Sequence, residues 1–176
     1  METIITRLYA SPCGRLLLGC AGERLCMCDW YLAERIERTR RRLQRFGLVR
    51  HVRGTSPVIE EAMRQLDAFF RGERRKPDVP LRLLGTDFQL RVWEELLRIP
   101  YGSTLTYGDI ARRMGMSRGA QAVGAAVGAN ALAVFVPCHR VVGRDGSLTG
   151  FAGGLEAKSC LLRLEAETAS RDDAKG

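Results

Sequence analysis

The chain has 176 residues and a formal net charge of +8, from 28 basic and 20 acidic side chains. It contains no run of about 18 apolar residues, which excludes a membrane-spanning helix, and it begins without the basic and apolar segments of a secretory signal, so a cytoplasmic protein is expected. The basic excess is mostly arginine, which suits bidentate phosphate contact, so nucleic acid is the first partner to consider, although many basic proteins bind none.

Residues 2–31 predict short strands in an antiparallel meander. Apolar runs at 3–5, 16–18 and 25–28 are separated by turn-like clusters. Four cysteines lie in this stretch: Cys13, Cys20, Cys26 and Cys28. Four thiolates can bind zinc, but the paired Cys-x-x-Cys spacing of zinc knuckles is missing, so we favour structural cysteines and expect no metal.

Residues 35–45 form the densest basic run, with six arginines. Such a run is more often a solvated face or a mobile loop than a phosphate site, and we predict a solvated segment. A helix is predicted at 57–71, capped by Ser56, with Pro57 at its start and Gly72 at its end. The charged, proline-broken segment that follows is typical of a connection between domains.

Two helices are predicted next, each behind a threonine that can cap it. The first covers 88–97 behind Thr86, and the second covers 107–114 behind Thr106. The apolar residues of the first recur at helical spacing, which indicates one buried face.

A third helix is predicted from Ser117 to about residue 128, after a sharp turn at Gly115. Helix, turn and helix together match the helix-turn-helix pattern, which alone is weak evidence because many non-binding bundles share it. The third helix is rich in glycine and alanine, which permits close approach to a neighbouring helix or a DNA groove. A last helix is predicted at 154–166.

A candidate nucleophile follows the apolar run 134–136. Pro137 cannot extend a hydrogen-bonded ladder, and Cys138, His139 and Arg140 come directly after it. A cation beside a cysteine favours the thiolate, which is the reactive form of sulfur. An isolated Cys-His pair is nevertheless more often a buried structural cysteine, so the wider sequence has to decide.

The motif Pro137-Cys138-His139-Arg140-Val141-Val142 resembles the acceptor motif of the 6-O-alkylguanine-DNA alkyltransferases, or methylated-DNA–protein-cysteine methyltransferases. Further matching blocks are Gly85-Thr86-Asp87-Phe88-Gln89, Val92-Trp93, Ile99-Pro100-Tyr101-Gly102, Thr106-Tyr107-Gly108, Ala122-Val123-Gly124, Gly150-Phe151-Ala152-Gly153-Gly154 and Leu161-Leu162-Arg163-Leu164-Glu165. The blocks are in order and cover about half of the chain, so the chain is identified as a member of this family.

The resemblance implies an α+β fold with two domains. A small N-terminal α/β domain, residues 1–80, would contain a ribonuclease-H-like antiparallel sheet. A mainly helical C-terminal domain, residues 81–170, would carry a winged-helix or helix-turn-helix DNA-binding motif and the alkyl acceptor. Residues 171–176 would form a flexible tail.

The resemblance also implies transfer of an alkyl group from the exocyclic oxygen of guanine. Cys138 would accept the group, His139 would act as base through a water, and Glu165 would orient the imidazole. Tyr107 would protonate the leaving base at N3, and Asn130 would fix the active-site turns. On spacing alone, Glu165 would be an exposed charge, Tyr107 a packed aromatic and Asn130 a helix end.

Guanine recognition is implied on both sides of the acceptor. The carbonyls of Cys138 and Val141 and the amide of Ala152 would read the guanine edge. Phe151 and Gly153 would line the wall of the same pocket. The protein would be consumed once per lesion, because the alkyl–sulfur bond is not hydrolysed, and no cofactor would be needed.

Duplex DNA containing alkylated guanine is the implied partner, with the third helix in the minor groove and the nucleotide turned out of the stack. The predicted DNA contacts are Ser117, Arg118, Ala120, Gln121 and Arg140. The family has an arginine at the position of Gln121, and Arg118, predicted one helical turn earlier, could substitute for it. We expect weaker DNA affinity or slower flipping, with the chemistry retained.

Three other functions compete with alkyl transfer. A non-catalytic alkylguanine sensor would have replaced the acceptor cysteine, which is present as Cys138. A helix-turn-helix regulator would leave the acceptor motif unexplained, and a cysteine hydrolase would need an oxyanion or substrate motif. The sequence leaves open whether 4-O-methylthymine is repaired, and we expect a monomer that could cluster cooperatively on DNA.

Overall fold

The computed structural model describes residues 1–148 and 154–175. The chain divides into two compact units. Unit 1 consists of Met1–Leu84 and Ala131–Phe135, and unit 2 consists of Gly85–Asn130 and Val136–Gly176. The chain therefore leaves unit 2 for the residues 131–135, an excursion that a single predicted boundary after residue 80 does not include.

Unit 1 is an α/β domain, as predicted. Its elements are β1 (Glu2–Ser11), β2 (Gly14–Ala21), β3 (Arg24–Trp30), α1 (Ala33–Gln44), β4 (Leu48–Arg53) and α2 (Pro57–Phe70). The sheet order is β3-β2-β1-β4, in which the first three strands in the chain form the predicted antiparallel meander. β4 runs parallel to β1, because α1 provides the crossover that a parallel connection needs.

The fourth strand corrects the prediction of a purely antiparallel sheet. Only Leu48 of its six residues is fully buried, so the strand lacks the alternating pattern that identifies strands from sequence. The excursion 131–135 continues the same unit beyond β3: Cys28 donates to the Ala131 carbonyl at 2.7 Å, and the Ala133 amide donates to the Cys28 carbonyl at 2.8 Å. Both sides of β3 are thus hydrogen-bonded.

Helix α1 corrects the prediction for the arginine run 35–45 only in part, because Arg38, Arg41 and Arg45 are exposed as expected but the run also has a buried face. Its residues Ile36 and Leu43 are buried and join the core of the sheet. Arg35 is also buried, and its Nε donates to Asp29 Oδ1 at 2.9 Å, so it is not solvated. The amphipathic helix is not evident from the sequence, because few of its positions are apolar and arginine dominates its composition.

The predicted helix at 57–71 is confirmed as α2, which begins with Pro57. The hydroxyl of its cap, Ser56, accepts from the Ile59 amide at 3.3 Å. Gln65 on this helix accepts from the Asp78 amide at 2.6 Å and donates to the Asp78 carbonyl at 3.0 Å. The proline-broken segment after α2 is therefore fixed along the helix instead of forming a free linker.

The cysteines of the sheet belong to its packing. Cys20, Cys26 and Cys28 are buried free thiols. Burial raises the pKa of Cys26 to about 12, which keeps it protonated at neutral pH. Within the described ranges, no group of three or more His, Cys, Asp or Glu side chains could hold a metal ion.

Unit 2 is mainly helical. Its elements are α3 (Asp87–Leu97), β5 (Leu105–Thr106), α4 (Tyr107–Arg113), α5 (Ala120–Gly128), a 3-10 turn (Cys138–Arg140), β6 (Val141–Val142) and α6 (Leu155–Lys175). Thr86 and Thr106 form capping boxes with Gln89 and Asp109, so both predicted caps are present. Trp93 Nε1 donates to the Ala126 carbonyl at 2.9 Å and ties α3 to α5.

Two predicted helix boundaries in unit 2 are corrected. α5 begins at Ala120 instead of Ser117, because Gly119 occupies the cap and residues 114–119 form the turn after α4. α6 runs to Lys175, so residues 171–175 are helical instead of a flexible tail. Nothing in this stretch breaks a helix, and Lys175 complements the negative end of the dipole. None of the described helices combines the length and apolar character needed to cross a bilayer.

Candidate active site

Cys138 follows a sharp turn of the backbone. Pro137 has φ −79° and ψ 65°, the geometry of an inverse γ-turn, and the Cys138 amide donates to the Val136 carbonyl at 2.7 Å. The 3-10 turn then leads into β6, which pairs in parallel with β5 beside the start of α4. Cys138 is 6 % exposed, so the acceptor sulfur is held in a rigid and nearly buried segment.

Asn130, just after α5, braces this turn. Its Nδ2 donates to the same Val136 carbonyl at 3.0 Å, and the residue is buried. The bond joins the points where the chain leaves and re-enters unit 2 around the excursion 131–135. Asn130 is thus placed where it can fix the active-site turn.

The carboxylate of Glu165, on the buried face of α6, collects hydrogen bonds from several donors. His139 Nε2 lies 2.5 Å from Glu165 Oε2. Arg140 donates through Nε to Oε1 at 2.8 Å and through Nη2 to Oε2 at 3.0 Å. The Gly102 amide donates to Oε1 at 3.0 Å, and Arg140 Nη1 donates to the Ile99 carbonyl at 2.8 Å. Glu165 is therefore a buried centre and not an exposed charge.

The charges of this cluster are set by burial and by the pairing. Burial lowers the pKa of His139, while the hydrogen bond and charge of Glu165 oppose the shift. Burial raises the pKa of Glu165, but the bonds from His139 and then from Arg140 outweigh it and lower this pKa to about 2. Glu165 is ionised at neutral pH and His139 is neutral. An ionised carboxylate only accepts, so it holds the imidazole proton on Nε2 and leaves the lone pair on Nδ1.

His139 Nδ1 is buried and has no hydrogen-bond partner among the described residues. Leaving a buried polar atom unpaired costs about 1–3 kcal/mol, so such atoms are rare. Here the unpaired atom is the basic nitrogen of the residue next to Cys138. The arrangement can accept a proton, directly or through a water, from the neighbouring thiol.

Lys158 on α6 is a candidate functional residue that was not predicted from the sequence. It is 1 % exposed. Burial lowers its pKa, and attraction to the Cys138 thiolate opposes the shift, so each charge favours the other. Its position could have been found from helical spacing, because Lys158, Leu161 and Glu165 recur at i, i+3 and i+7 on one buried face.

Tyr107 is half-buried at the first position of α4. Lys158 Nζ lies 6.0 Å from the centroid of its ring. A Cβ added at Gly124 of α5 would lie 3.7 Å from the same ring, so the helices approach closely at this point. Tyr107 therefore shares Lys158 as a neighbour with Cys138.

The predicted DNA contacts separate into two groups. Ala120 and Gln121 are exposed on α5, and Ser117 and Arg118 are exposed in the turn before it. The prediction that Arg118 lies one helical turn before Gln121 is therefore wrong, because Arg118 lies in the turn that precedes α5. Arg140, predicted as a DNA contact, is 7 % exposed and bound to Glu165, so it belongs to the buried cluster around that carboxylate and not to the exposed group.

Some of the residues predicted to bind guanine lie within the described residues and others lie outside them. Val141 is buried and pairs with Leu105 in the β5–β6 sheet. Phe151, Ala152 and Gly153 lie outside the described residues, so their roles stay predictions.

Two family models match the chain. The DNA-binding domain of 6-O-methylguanine DNA methyltransferase matches residues 87–167, and the ribonuclease-like domain of the same protein matches residues 4–83. A methylated-DNA–protein-cysteine methyltransferase of Mycobacterium bovis is 53% identical over 111 residues, which cover 63% of this chain and 67% of that protein. The protein of the same name from Haemophilus influenzae is 36% identical over 166 residues, or 94% of this chain and 88% of the relative.

Solved structures agree with the sequence matches. The OGT of Mycobacterium tuberculosis in complex with DNA superposes with a TM-score of 0.77 at 40% identity, covering 94% of each chain. An O6-methylguanine-DNA methyltransferase of Pyrococcus kodakaraensis gives a TM-score of 0.68 at 26% identity, covering 94% of this chain and 99% of that one. The two-domain α+β fold and the predicted family are confirmed, and the chain belongs to the methylated-DNA–protein-cysteine methyltransferases, a family of DNA repair enzymes.

Proposed function

We propose that this protein repairs DNA by moving the methyl group of 6-O-methylguanine in duplex DNA to Cys138, once per protein molecule. The observation that carries the proposal is the buried pair of His139 and Glu165 beside the acceptor. Its carboxylate holds the imidazole proton on one nitrogen, and the other nitrogen is free of partners among the described residues. This is the geometry of a general base with its orienting group.

The first half of the reaction is activation of sulfur. His139 Nδ1 takes the Cys138 proton through a water, and the imidazolium that forms is stabilised by the ionised Glu165 at 2.5 Å. Arg140 keeps Glu165 ionised, so the proton stays on the imidazole. The ammonium of Lys158 favours the thiolate by direct attraction.

The second half is displacement at the alkyl carbon. A sulfur–carbon bond forms while the carbon–oxygen bond breaks, and the bonding electrons pass to the guanine. The Tyr107 hydroxyl gives a proton to guanine N3, which makes the leaving base neutral. The proton taken by His139 balances the proton lost by Tyr107, and both groups re-equilibrate with solvent. Because the thioether is stable, the acceptor is consumed.

Delivery of the base requires extrusion of the nucleotide, which costs a few kcal/mol and less for a badly paired lesion. The exposed alanines of α5, together with the exposed Gln121, suit entry into the minor groove. Val141 and the predicted residues Phe151, Ala152 and Gly153 would hold the guanine. We propose that the protein acts as a monomer. Clustering of several molecules along DNA, and repair of 4-O-methylthymine by the same chemistry, stay open predictions.

A non-catalytic alkylguanine sensor is the second candidate, and the uncharged Gln121 favours it because weaker flipping would slow transfer. The intact cluster of Cys138, His139 and Glu165 opposes it, since a sensor has no use for an oriented base beside a thiol.

Intact-protein mass spectrometry tests the proposal. The protein is mixed with a duplex oligonucleotide that carries a single 6-O-methylguanine, and a gain of one CH2 unit per molecule, mapped to the peptide with Cys138, is expected. Cys138→Ser should show no gain while retaining DNA binding. Lesion-selective binding without a mass gain in the unaltered protein would establish the sensor instead.

A further inference from the structure

Unit 1 carries nearly all of the protein's net positive charge. Residues 1–84 contain 17 basic and 10 acidic side chains, a net charge of +7, and the residues 131–135 that complete the unit are uncharged. The rest of the chain contains 11 basic and 10 acidic side chains, a net charge of +1. Attraction to phosphates supplies most of non-specific nucleic-acid binding. The unit without the acceptor cysteine is therefore the one that is electrostatically suited to a polyanion.

A cleft of about 730 Å³ opens on unit 1. Arg40 of α1, His51 and Arg53 of β4, Thr55 just after β4 and Tyr31 just after β3 line it. None of the described residues in its lining is acidic. The cleft thus brings together an imidazole, an aromatic ring and three guanidinium groups that are scattered along the sequence. The guanidinium of Arg7 and the hydroxyl of Thr55 are already bound to Glu60, which leaves Arg40, Arg53 and His51 for a ligand.

Several polar atoms of the residues that line this cleft lack partners. Arg40 Nε and both ring nitrogens of His51 are buried and have no hydrogen-bond partner among the described residues. An arginine presents its donors in a fixed fork that matches two phosphate oxygens. Arg40 and Arg53 both line the cleft, so their guanidinium groups would be the ligands of a bound phosphate.

Protection of a sheet edge is a competing reason for some of these charges. β4 is an edge strand of the sheet, and charged residues on an edge discourage pairing with another chain. This reason accounts for Arg53, which is exposed. It does not account for Arg40, which lies on α1, or for the unpaired and buried ring nitrogens of His51.

We propose that this cleft binds the phosphodiester backbone of a nucleic-acid strand and forms a second nucleic-acid site, separate from the alkyl acceptor. Apolar surface lies beside the guanidinium groups: Tyr31 is 39% exposed and Leu8, also in the lining, is 42% exposed. Aromatic and apolar side chains next to a basic groove are what single strands bind, because bases and sugars pack on them. The guanidinium of Arg15, 5.2 Å from the Tyr31 ring centroid, adds to the positive surroundings.

Salt-dependent binding of an unmodified single-stranded oligonucleotide tests the site without involving alkyl transfer. The double variant Arg40→Gln/Arg53→Gln is compared with Arg24→Gln/Arg38→Gln, which removes two exposed charges of unit 1 outside the cleft. Loss of two phosphate contacts should make the slope of log K against log salt shallower by about 1.4. The control should change the slope much less. Equal changes in both variants, or no change in either, would overturn the proposal.

A titration of the unaltered protein keeps the test independent of how the variants fold. Thymidine trinucleotide is added while backbone amide and His51 ring resonances are followed by NMR. We expect saturable shifts at Thr6, His51, Gly54 and Thr55, at lower concentrations than inorganic phosphate requires. Absence of shifts at these residues contradicts the site, and an equal response to inorganic phosphate would make it a small-anion site instead.

Discussion

Each unit of this protein buries an arginine against a carboxylate, and the two clusters differ in one respect. In unit 1, Arg35 Nε lies 2.9 and 3.0 Å from the two oxygens of Asp29, and Thr39 donates to the same carboxylate at 2.6 Å. In unit 2, Arg140 and His139 converge on Glu165 in a similar way. The partner that distinguishes them is the imidazole of His139, which can gain or lose a proton and has a second nitrogen.

The comparison shows how a fold-stabilising cluster and a catalytic one can be separated. A buried ion pair is weak evidence of net stabilisation, because desolvation offsets the attraction, yet removal of one partner is costly. Both clusters share that property. Only the cluster in unit 2 leaves a buried basic atom unpaired, at His139 Nδ1. An unsatisfied proton acceptor next to a nucleophile is the feature that indicates chemistry.

The largest expected effect follows from removing the charge of Glu165 with little change in shape. Glu165→Gln should slow methyl transfer about 10²- to 10⁴-fold, the range for loss of general-base assistance, because the imidazolium is no longer stabilised. Single-turnover transfer to duplex DNA is measured under excess DNA, with the final extent of methylation reporting the folded fraction. A variant that transfers at the unaltered rate would remove Glu165 from the mechanism.

The matched change in unit 1 should affect stability alone. Asp29→Asn leaves the buried Arg35 without its counter-charge, and we expect the free energy of unfolding to fall by about 3 kcal/mol. The rate constant of transfer, measured per active molecule, should stay within a factor of two of the unaltered protein. Urea unfolding gives the first quantity. A drop in rate as large as that of Glu165→Gln would erase the distinction between the clusters.

The pH dependence sharpens the assignment of His139. Because burial lowers its pKa from the ordinary 6.5, the neutral base persists below that pH, and the acid limb of the transfer rate should have its midpoint below 6.5. The unfolded chain binds a proton at this histidine before the folded chain does, so the free energy of unfolding should fall as pH drops below 6.5. Rates and unfolding curves between pH 5 and 8 check both signs. A midpoint above 6.5 would mean that Glu165 dominates over burial.

Lys158 offers a change in which rate and stability should move in opposite directions. Lys158→Met retains the packing length and removes a buried ammonium, so stability should hold or rise. Transfer should slow about tenfold, or about 1.4 kcal/mol in the barrier, because the thiolate loses a neighbouring cation. Lys175→Met, on the exposed end of the same helix, is the control and should change neither quantity. Equal rates in the two variants would mean that Lys158 does not act on the thiolate.

Much of the fold could be predicted from local signals. Ser56, Thr86 and Thr106 cap helices as expected, since capping depends on residues close in sequence. β4 and α1 could not be predicted, because their burial comes from pairing with β1 and with Asp29, contacts that are distant in sequence. The excursion 131–135 could not be predicted either, because its hydrogen bonds to Cys28 also join residues that are distant in sequence.

The residues of the site could be predicted from the sequence where they lie within one motif, and could not be predicted from local sequence elsewhere. Cys138 and His139 lie in one contiguous motif, but the link from His139 to Glu165 spans 26 positions and needed the family resemblance. Arg140 was misassigned because an arginine in a basic DNA-binding protein suggests phosphate, whereas the fold turns it toward Glu165. Lys158 was missed since lysine is rarely buried, although its spacing from Leu161 and Glu165 places it on the same face of the helix.

The smallest expected effect concerns delivery of the base to the site. Gln121→Arg should raise the transfer rate on duplex DNA about fivefold, corresponding to about 1 kcal/mol from a charged contact in the space that the nucleotide leaves. A short single strand carrying the lesion should react at an unchanged rate, because no base has to be extruded. Ala125→Arg adds the same charge to the exposed face of α5 one turn later and should not reproduce the gain. Equal gains from both variants would mean that charge alone, and not the filling of the vacated stack, limits delivery.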